Sequence, residues 1–333
     1  MLKSISENLA LKGIPFFLNI ALKVCILCFL CFYFYKHVYL DNRLSDLISR
    51  FLDSFKILNL FLLIVIAGLT ILNWGIESLK WQKIVKPIKR IGFKRSYKAV
   101  LSGVTIAMVT PNRIGEYGGR VAYIPSGKRV DAALATIAGS LSQIFVTNLA
   151  GLLAFLYFIP TLKVISPLFL MISYVGISLT FLLLLYIYAR FPRLIQYIQK
   201  IRIIQKIKWI NRALSVVHLF NKENWNDLLH LSALRYVVFA VQYLLLLTMF
   251  GAAVPFFDGI MMVAIIFFIQ SSLPSPAIAE LGLRNGLAIY FFGSLTSNTI
   301  GIMCAATAIW LVNMVIPATV GAVFMIRENI IKK

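Results

Sequence analysis

The run TPNRIGEYGGRVAYI, from Thr110 to Ile124, and the run LPSPAIAELGLRNG, from Leu273 to Gly286, contain the same short pattern, a proline followed by E-x-G-x-R. The shared residues are Pro111, Glu116, Gly118 and Arg120 in the first run, and Pro274, Glu280, Gly282 and Arg284 in the second. Both runs lie in otherwise apolar sequence, where ionised side chains are costly and are retained mainly for function. Matching interruptions in two halves of a membrane protein are the best sequence indication of a central binding site.

The composition is that of a membrane protein. Of the 333 residues, 60% are apolar, and the mean hydropathy is +0.86, which leaves too little polar surface to cover a soluble globule. We therefore predict an all-α polytopic membrane protein with a single transmembrane domain over residues 1–333. The 33 basic residues against 12 acidic ones would suggest nucleic-acid binding in a soluble chain. In a bilayer they are typical of cytoplasmic loops that face anionic lipid, so we expect no nucleic-acid partner.

Apolar length predicts which segments cross the bilayer, since a spanning helix needs about 20 residues. The predicted full spans are Ile14 to Tyr35, Ile57 to Glu77, Asp131 to Ile159, Ser166 to Ala189, Leu228 to Phe250 and Ile300 to Ile326. Two shorter stretches, Tyr97 to Thr110 and Gly259 to Ser272, run directly into the proline patterns. We interpret them as the first arms of re-entrant hairpins, broken at Pro111, Pro274 and Pro276 because proline cannot continue a helix.

Lysine and arginine positions predict the orientation of the chain. The connection from Ser78 to Tyr97 and the segment from Arg190 to Lys222 are both strongly basic, which places them in the cytoplasm. The turn from Gly251 to Phe257 has no charge and is expected outside. The chain start has no cleavage site of small residues, so the first span is expected to be retained. The N- and C-termini are then both cytoplasmic, in an inner (plasma) membrane protein.

These signs predict that the two hairpins enter from opposite faces of the membrane. The first returns to the cytoplasm at Lys128 and Arg129, whereas the second starts from the uncharged outside turn. Each pseudo-repeat half, 1–160 and 161–333, then contains three spans and one hairpin, which is an inverted-topology repeat. The prediction requires residues 36–56 to lie outside although they include four basic side chains.

The chemistry of the two patterns favours an anionic ligand. Arginine offers a planar fork of donors that stays charged, which makes Arg120 and Arg284 natural phosphate partners. Glycines beside them permit close backbone approach. The predicted substrate-binding residues are Arg113, Glu116, Gly118, Arg120, Glu280, Gly282 and Arg284. The alternative is that each glutamate only neutralises the arginine four residues later and holds its hairpin together.

The two runs resemble the signature regions of the lysylphosphatidylglycerol synthase transmembrane region, a flippase-like family found as the membrane half of multiple-peptide-resistance factors and as stand-alone proteins. In the family the second pattern often reads close to P-x-x-x-G-G-x-G-x-R-E. Here Ala279 and Glu280 stand where small residues are usual, and Asn285 stands where glutamate is usual. The resemblance implies translocation of a charged or glycosylated lipid across the bilayer.

What the sequence lacks also bears on function. The resistance factors carry a soluble aminoacyl-transferase domain after the membrane region, and the chain ends soon after its last predicted span. We therefore expect it not to synthesise lysyl-lipid, and we expect a separate lipid-modifying enzyme as a partner. No G-x-x-x-x-G-K-[ST] motif is present, so we expect no ATP-driven transport and no cofactor.

Two alternatives to a lipid translocase remain open from sequence. An integral membrane enzyme acting on a polyprenyl-phosphate or phospholipid headgroup could use Glu116 and Glu280 as paired carboxylates. A partner subunit without transport of its own is a third reading.

Cys25, Cys28 and Cys31 share a helix face but are interpreted as buried apolar residues rather than metal ligands, and the three histidines form no zinc motif. Residues 191–220 predict an amphipathic helix on the inner leaflet, or a basic connector without lipid specificity.

Overall fold

The described part of the chain is helical. The computed structural model describes residues 57–110, 113–161, 166–201, 207–217, 220, 222–273 and 277–328, and no strand occurs within them. Several features predicted from the sequence lie outside these ranges. They are the span from Ile14 to Tyr35 with its cysteines at 25, 28 and 31, residues 36–56, and the prolines Pro111, Pro274 and Pro276. The prediction of an all-α membrane protein is confirmed at this level.

The described residues form eleven α-helices. The first four are α1 (Ile57–Val85), α2 (Phe93–Val109), α3 (Gly115–Val121) and α4 (Arg129–Phe158). The next four are α5 (Pro167–Gln199), α6 (Lys208–Val217), α7 (Lys222–Met249) and α8 (Phe256–Ser272). The last three are α9 (Ala277–Phe292), α10 (Thr299–Trp310) and α11 (Ile316–Arg327), and a π-helical segment at Leu311–Val315 joins α10 to α11.

Five helical stretches of the described residues are long and apolar enough to cross a membrane. They are Leu60–Val85, Ser126–Phe158, Leu168–Phe191, Glu223–Met249 and Thr299–Arg327, and each overlaps a predicted span. Helix α1 continues beyond the span end predicted at Glu77 for more than two further turns, to Val85. Lys80, predicted in a cytoplasmic connection, is instead a buried residue of this helix.

The long helix α5 lies at the edge of the bundle. None of the residues in its most apolar window is buried, so this helix presents its leucines and isoleucines to lipid. Residues 191–199, the start of the predicted amphipathic helix, continue α5, and a separate short helix, α6, covers Lys208–Val217. Residues 202–206 lie outside the described ranges.

Helices α2 and α8 both end immediately before a proline. Thr110, which follows α2, has φ −112° and ψ 138°, and Leu273, which follows α8, has φ −104° and ψ 106°. Both are extended conformations, as expected for a residue whose successor is proline. The helices therefore stop where the sequence pattern requires a break.

The start of α2 and the end of α3 lie side by side. The Arg95 side chain donates two hydrogen bonds, of 3.0 and 2.7 Å, to the carbonyl of Tyr123, and Lys98 forms an ion pair with Glu328 at 2.6 Å. The Tyr123 hydroxyl lies 2.9 Å from the hydroxyl of Ser102. Burial raises the pKa of the Tyr123 phenol, so this hydroxyl stays protonated at neutral pH.

The start of α8 and the end of α9 are tied together in a similar way. Asn298, which caps α10 by accepting from the backbone N–H of Gly301 at 3.0 Å, donates to the carbonyls of Phe250 and Gly251 at 3.2 and 2.9 Å. Phe250 and Gly251 immediately precede the turn into α8. The segment between them and Asn298 therefore leaves and returns to one end of the bundle.

Apolar packing is divided between two large clusters of buried side chains. One surrounds α2 and α3 and includes Trp74 and Trp81 of α1 and Met314 of the π segment. The other surrounds α8 and α9 and includes Ile66 of α1 and Ile309 of α10. Helix α1 and the α10–α11 unit thus contribute to both clusters, and a cavity lies where the clusters approach each other.

Candidate functional site

The turn between α2 and α3 is shaped by Thr110 and Gly115. The Thr110 hydroxyl accepts a hydrogen bond from the backbone N–H of Gly115 at 2.9 Å, and the Thr110 carbonyl accepts from the N–H of Arg113 at 3.3 Å. A Cβ on Gly115 would lie 2.5 Å from Cγ2 of Ile106, so no larger residue fits without movement. The tip of the first proline pattern is therefore a tight, hydrogen-bonded turn.

Arg113 adopts an unusual backbone conformation at this tip. Its φ is +57°, and it is the one non-glycine residue with positive φ among those described. Such left-handed conformations cost roughly 1–3 kcal/mol and cluster at functional sites. The guanidinium reaches the π segment, where Nη2 lies 3.3 Å from Sδ of Met314. Arg113 therefore projects across the bundle rather than into lipid.

A cavity of about 490 Å³ lies between the two clusters. Its polar lining residues are Arg113, Gln143, Thr147, Arg235, Gln270, Ser271, Arg284 and Asn313. Its aromatic lining residues are Trp74, Tyr236, Phe239, Phe267 and Trp310. Three arginines thus share one cavity, and no aspartate or glutamate is among its described lining residues. The volume falls within the range of roughly 300–1,000 Å³ typical of small-molecule sites.

The two proline patterns both contribute to this cavity. Arg113 comes from the turn after α2, Ser271 and Leu273 come from the end of α8, and Arg284 comes from α9. The side chain of Glu280 lies outside those that the structure describes. Gly118 and Gly282 are not among the lining residues. The structure therefore brings together one predicted arginine from each half of the chain.

Arg120 lies behind the cavity wall instead of in it. Its side chain is 3% exposed, and its Nη1 donates to Oε1 of Glu77 at 2.8 Å, while its Nη2 pairs with the carboxylate of Glu116. The sequence left open the alternative that each glutamate only neutralises the arginine four residues later, and Glu116 and Arg120 form such a pair. In the first pattern this contact is present, and a second carboxylate from α1 strengthens it.

Glu77 is the centre of a buried charge cluster, defined by Glu77, Lys80, Glu116, Arg120 and Arg235. Its Oε2 lies 3.1 Å from Nζ of Lys80 and 3.1 Å from Nη1 of Arg235. The side chains of Glu77, Lys80 and Arg120 are at most 5% exposed. Because unpaired charges at this depth are very costly, the cluster fixes α1, α3 and α7 relative to one another.

Arg235 connects the charge cluster to the cavity. Its Nε donates to Oδ1 of Asn73 at 3.0 Å, and its guanidinium carbon lies 5.1 Å from the ring centre of Trp74 and 5.8 Å from that of Phe239. The side chain is 17% exposed and lines the cavity. Arg235 is thus a cation held in a defined orientation at the cavity wall.

Polar side chains continue from Arg235 along the inner face of the bundle. Asn73 donates to Oδ1 of Asn313 at 3.1 Å, Asn313 donates to Oε1 of Gln242 at 2.8 Å, and Gln242 donates to Oγ1 of Thr70 at 2.7 Å. Asn313 lies in the π segment. Such segments occur often at functional sites. Pro317 has no N–H to donate to Asn313, which explains why regular α-helical bonding is lost here.

The sequence did not indicate Glu77, Lys80 or Arg235 as site residues. Glu77 is the last residue of a predicted span, Lys80 lies in the predicted cytoplasmic connection that follows, and Arg235 is an isolated cation within another predicted span. A charged residue in a spanning helix is itself a signal for function, and Arg235 could have been singled out on that ground. Among the described residues, no group of three or more His, Cys, Asp or Glu side chains is placed to hold a metal ion.

Comparison with protein families gives one match. The family described as lysylphosphatidylglycerol synthase TM region matches residues 20–321, which is nearly the whole chain. The resemblance proposed from the two proline patterns is therefore confirmed. No curated protein and no solved structure matches the chain at a significant level.

Proposed function

Because the chain belongs to the lysylphosphatidylglycerol synthase TM region family, we propose that it is a lipid translocase that moves a charged or glycosylated lipid headgroup through the arginine-lined cavity. The observation that carries this proposal is the cavity itself, in which Arg113, Arg235 and Arg284 converge among membrane-spanning helices. Cations at this depth are expensive and mark substrate or ion pathways. The ligand is an anionic or polyprenyl-linked lipid, which a separate lipid-modifying enzyme supplies.

In this proposal, α2–α3 and α8–α9 are two re-entrant hairpins that enter from opposite faces of the membrane. Support comes from the contacts at their bases. The base of α2–α3 contacts Glu328, at the end of α11, and the base of α8–α9 contacts Asn298, at the start of α10. Since α10, the π segment and α11 form one stretch long enough to cross the bilayer, the two bases lie at its opposite ends.

This arrangement supports an inverted-topology repeat of six spans and two hairpins with cytoplasmic termini in the cell membrane. Arg113, in the turn between α2 and α3, and Leu273, which follows α8, both line the cavity, and irregular backbone is tolerated where it lines a polar space. Transporters with such repeats alternate access by moving one repeat against the other around a fixed site. Asn313, which lines the cavity, accepts a hydrogen bond from Asn73 and donates one to Gln242, and these buried polar contacts support a polar site inside the bundle.

The geometry gives less support to an enzyme acting on a lipid headgroup. Glu116, one of the two carboxylates considered for such chemistry, is paired with Arg120, which also binds Glu77. A carboxylate that is engaged in an ion pair is not free to contact a reacting group. Glu116 therefore fits a structural role better than a catalytic one.

A reconstituted flipping assay tests the proposal. Purified protein is placed in vesicles that contain a trace of fluorescent phosphatidylglycerol, and a membrane-impermeant quencher reports how fast inner-leaflet lipid reaches the outer leaflet. We expect wild-type protein to accelerate exchange, and Arg113→Ala and Arg284→Ala each to slow it about tenfold or more, because each removes a charge-assisted contact.

Arg193→Ala is the matched control, since it removes an exposed arginine of α5 that does not line the cavity. This variant should retain wild-type exchange. Exchange at the wild-type rate in both cavity variants would refute the assignment of the transport site.

A further inference from the structure

The surroundings of the cavity carry an excess of positive charge. Arg113, Arg235 and Arg284 line it, while the nearest described carboxylates, Glu77 and Glu116, already serve Arg120, Lys80 and Arg235. Five cations therefore face two carboxylates. Even when Glu280 is added from the sequence, the cations remain in the majority. A buried site with this balance attracts anions and repels cations, because the low dielectric of the bundle weakens screening.

Two further lining residues offer hydrogen-bond donors that lack acceptors. Nε1 of Trp74 and the hydroxyl of Tyr236 are buried, and neither has a hydrogen-bond partner in the described part of the chain. One acceptor on the wall, Oε1 of Gln143, is also without a partner. Buried polar groups normally find partners, so such groups at a cavity wall indicate a ligand or ordered water. Phosphate oxygens accept hydrogen bonds, whereas an ammonium group cannot.

We propose that the cavity selects lipid headgroups of net negative charge, that Arg235 binds their phosphate group, and that aminoacylated headgroups are rejected. The inference rests on the proposed function and names its substrate class. A lysyl ester adds two ammonium groups to phosphatidylglycerol and makes its headgroup a net cation. Placing these ammonium groups among three arginines would be opposed by repulsion that no described lining carboxylate relieves.

Arg235 is suited to this role because its orientation is already fixed. The guanidinium has five N–H groups, of which Nε donates a hydrogen bond to Asn73, while Nη1 lies 3.1 Å from Oε2 of Glu77 in an ion pair. The rings of Trp74 and Phe239, whose centres lie 5.1 and 5.8 Å from the guanidinium carbon, further restrict the position of this side chain. A phosphate can therefore bind the remaining donors without a large loss of side-chain entropy.

The aromatic walls do not reverse the preference. Aromatic rings can bind ammonium groups through their faces. In this cavity, however, Arg235 already lies over the rings of Trp74 and Phe239. At these two rings a ligand ammonium would have to displace a cation that Glu77 holds in position, and at Tyr236, Phe267 and Trp310 it would share the cavity with Arg113 and Arg284.

Flipping of matched lipids tests the inference in the wild-type protein. Vesicles receive a trace of fluorescent phosphatidylglycerol, lysyl-phosphatidylglycerol or phosphatidylcholine with identical acyl chains. We expect phosphatidylglycerol to exchange at least about tenfold faster than the lysyl ester. Equal exchange of the two, or faster exchange of the lysyl ester, would overturn the inference while leaving the proposed function intact. No exchange of any lipid would refute the proposed function.

Binding provides a readout that does not depend on transport. Trp74 and Trp310 line the cavity, so short-chain phosphatidylglycerol in detergent is expected to change tryptophan fluorescence. Arg235→Gln should weaken this binding about tenfold or more, with Arg235→Lys retaining part of it, because lysine keeps the charge but loses the planar fork. Arg193→Gln is the matched surface control.

Thermal unfolding of each variant separates loss of the site from loss of the fold. Glu77 keeps Arg120 and Lys80 as partners when Arg235 is replaced, so we expect Arg235→Gln to remain folded. Unchanged phosphatidylglycerol affinity in a folded Arg235→Gln variant, or equal affinity of the wild type for the lysyl ester, would contradict the assignment. Saturation by inorganic phosphate with no response to the lipid would contradict it as well.

Discussion

Three cations converge on the single carboxylate of Glu77. Arg120 comes from α3, Lys80 lies one turn further along α1, and Arg235 comes from α7. Isolated, each of these cations would be strongly disfavoured at its depth in the bundle. Glu77 therefore stabilises the buried cations of the cluster, and its removal should destabilise the fold and not only weaken ligand binding.

We predict that Glu77→Gln lowers the free energy of unfolding by about 3–5 kcal/mol, because it leaves buried cations without their shared partner. The measurement is thermal unfolding of the detergent-solubilised protein. Asp227→Asn is the control, since Asp227 forms an ion pair with Lys83 at the surface and should contribute no more than about 1 kcal/mol. Equal stability of Glu77→Gln and wild type would show that the cluster is not structural.

Single residues also show how far sequence reasoning reaches into the site. The repeated pattern led to Arg113 and Arg284, which the structure places at one cavity. It also led to Arg120, which lies in the charge cluster behind the wall. The pattern identifies residues near the break, but their partners come from distant parts of the chain. Glu77 precedes Arg120 by 43 positions, and no local spacing connects the two.

Helices α2 and α3 pack closely through two glycines. A Cβ on Gly119 would lie 2.7 Å from Cα of Gly103 and 2.7 Å from the carbonyl oxygen of Ser102. Both neighbours are backbone atoms, which cannot rotate away. In contrast, a Cβ on Gly118 would meet nothing within 4 Å. Adjacent glycines of one short helix therefore differ sharply in what they tolerate.

We predict that Gly119→Ala destabilises the protein by about 1–3 kcal/mol, as expected for overpacking at a tight contact. Gly118→Ala should be neutral or stabilising by up to about 1 kcal/mol, because alanine favours a helix interior more than glycine does. Thermal unfolding of both variants measures the difference. Lipid flipping by Gly118→Ala also tests its predicted site role: loss of transport in a stable variant would support that role, and wild-type transport would refute it.

Among the helices, the sequence predicted where α2 and α8 end before their prolines better than it predicted where the other helices begin and end. The short arms before Pro111 and Pro274 are α2 and α8, and both end within one residue of the prediction. The starts of α2 and α8 and the end of α1 lie beyond the predicted boundaries, because charged side chains near helix ends are tolerated or are buried in the bundle. The span predicted from Ile300 to Ile326 gave no sign of the π segment at Leu311–Val315, which depends on Pro317 and on the contacts of Asn313.

Across the whole molecule, α1 and the α10–α11 unit contribute to both buried clusters, whereas α5 contributes few buried side chains. The charge cluster and the polar contacts of Asn313 lie where these shared helices meet. Composition was sufficient to predict a helical membrane protein, whereas the orientation inferred from the basic loops stays a prediction. The position of the cavity was not predictable, because it depends on how seven separate segments pack: α1, the α2–α3 turn, α4, α7, α8, α9 and α10 with its π segment.

The opposite entry of the two hairpins is testable by labelling single cysteines in intact cells, in a variant whose four native cysteines are replaced by serine. Lys94→Cys lies at the base of α2, and Phe256→Cys lies at the base of α8, where the phenylalanine is 65% exposed. The bases contact opposite ends of the stretch Thr299–Arg327, so an impermeant maleimide should label Phe256→Cys and should reach Lys94→Cys only after permeabilisation. Asp258→Cys, in the first turn of α8, should follow Phe256→Cys. Labelling of both bases from the same side would rule out an inverted repeat, because one crossing stretch cannot have both of its ends in one compartment.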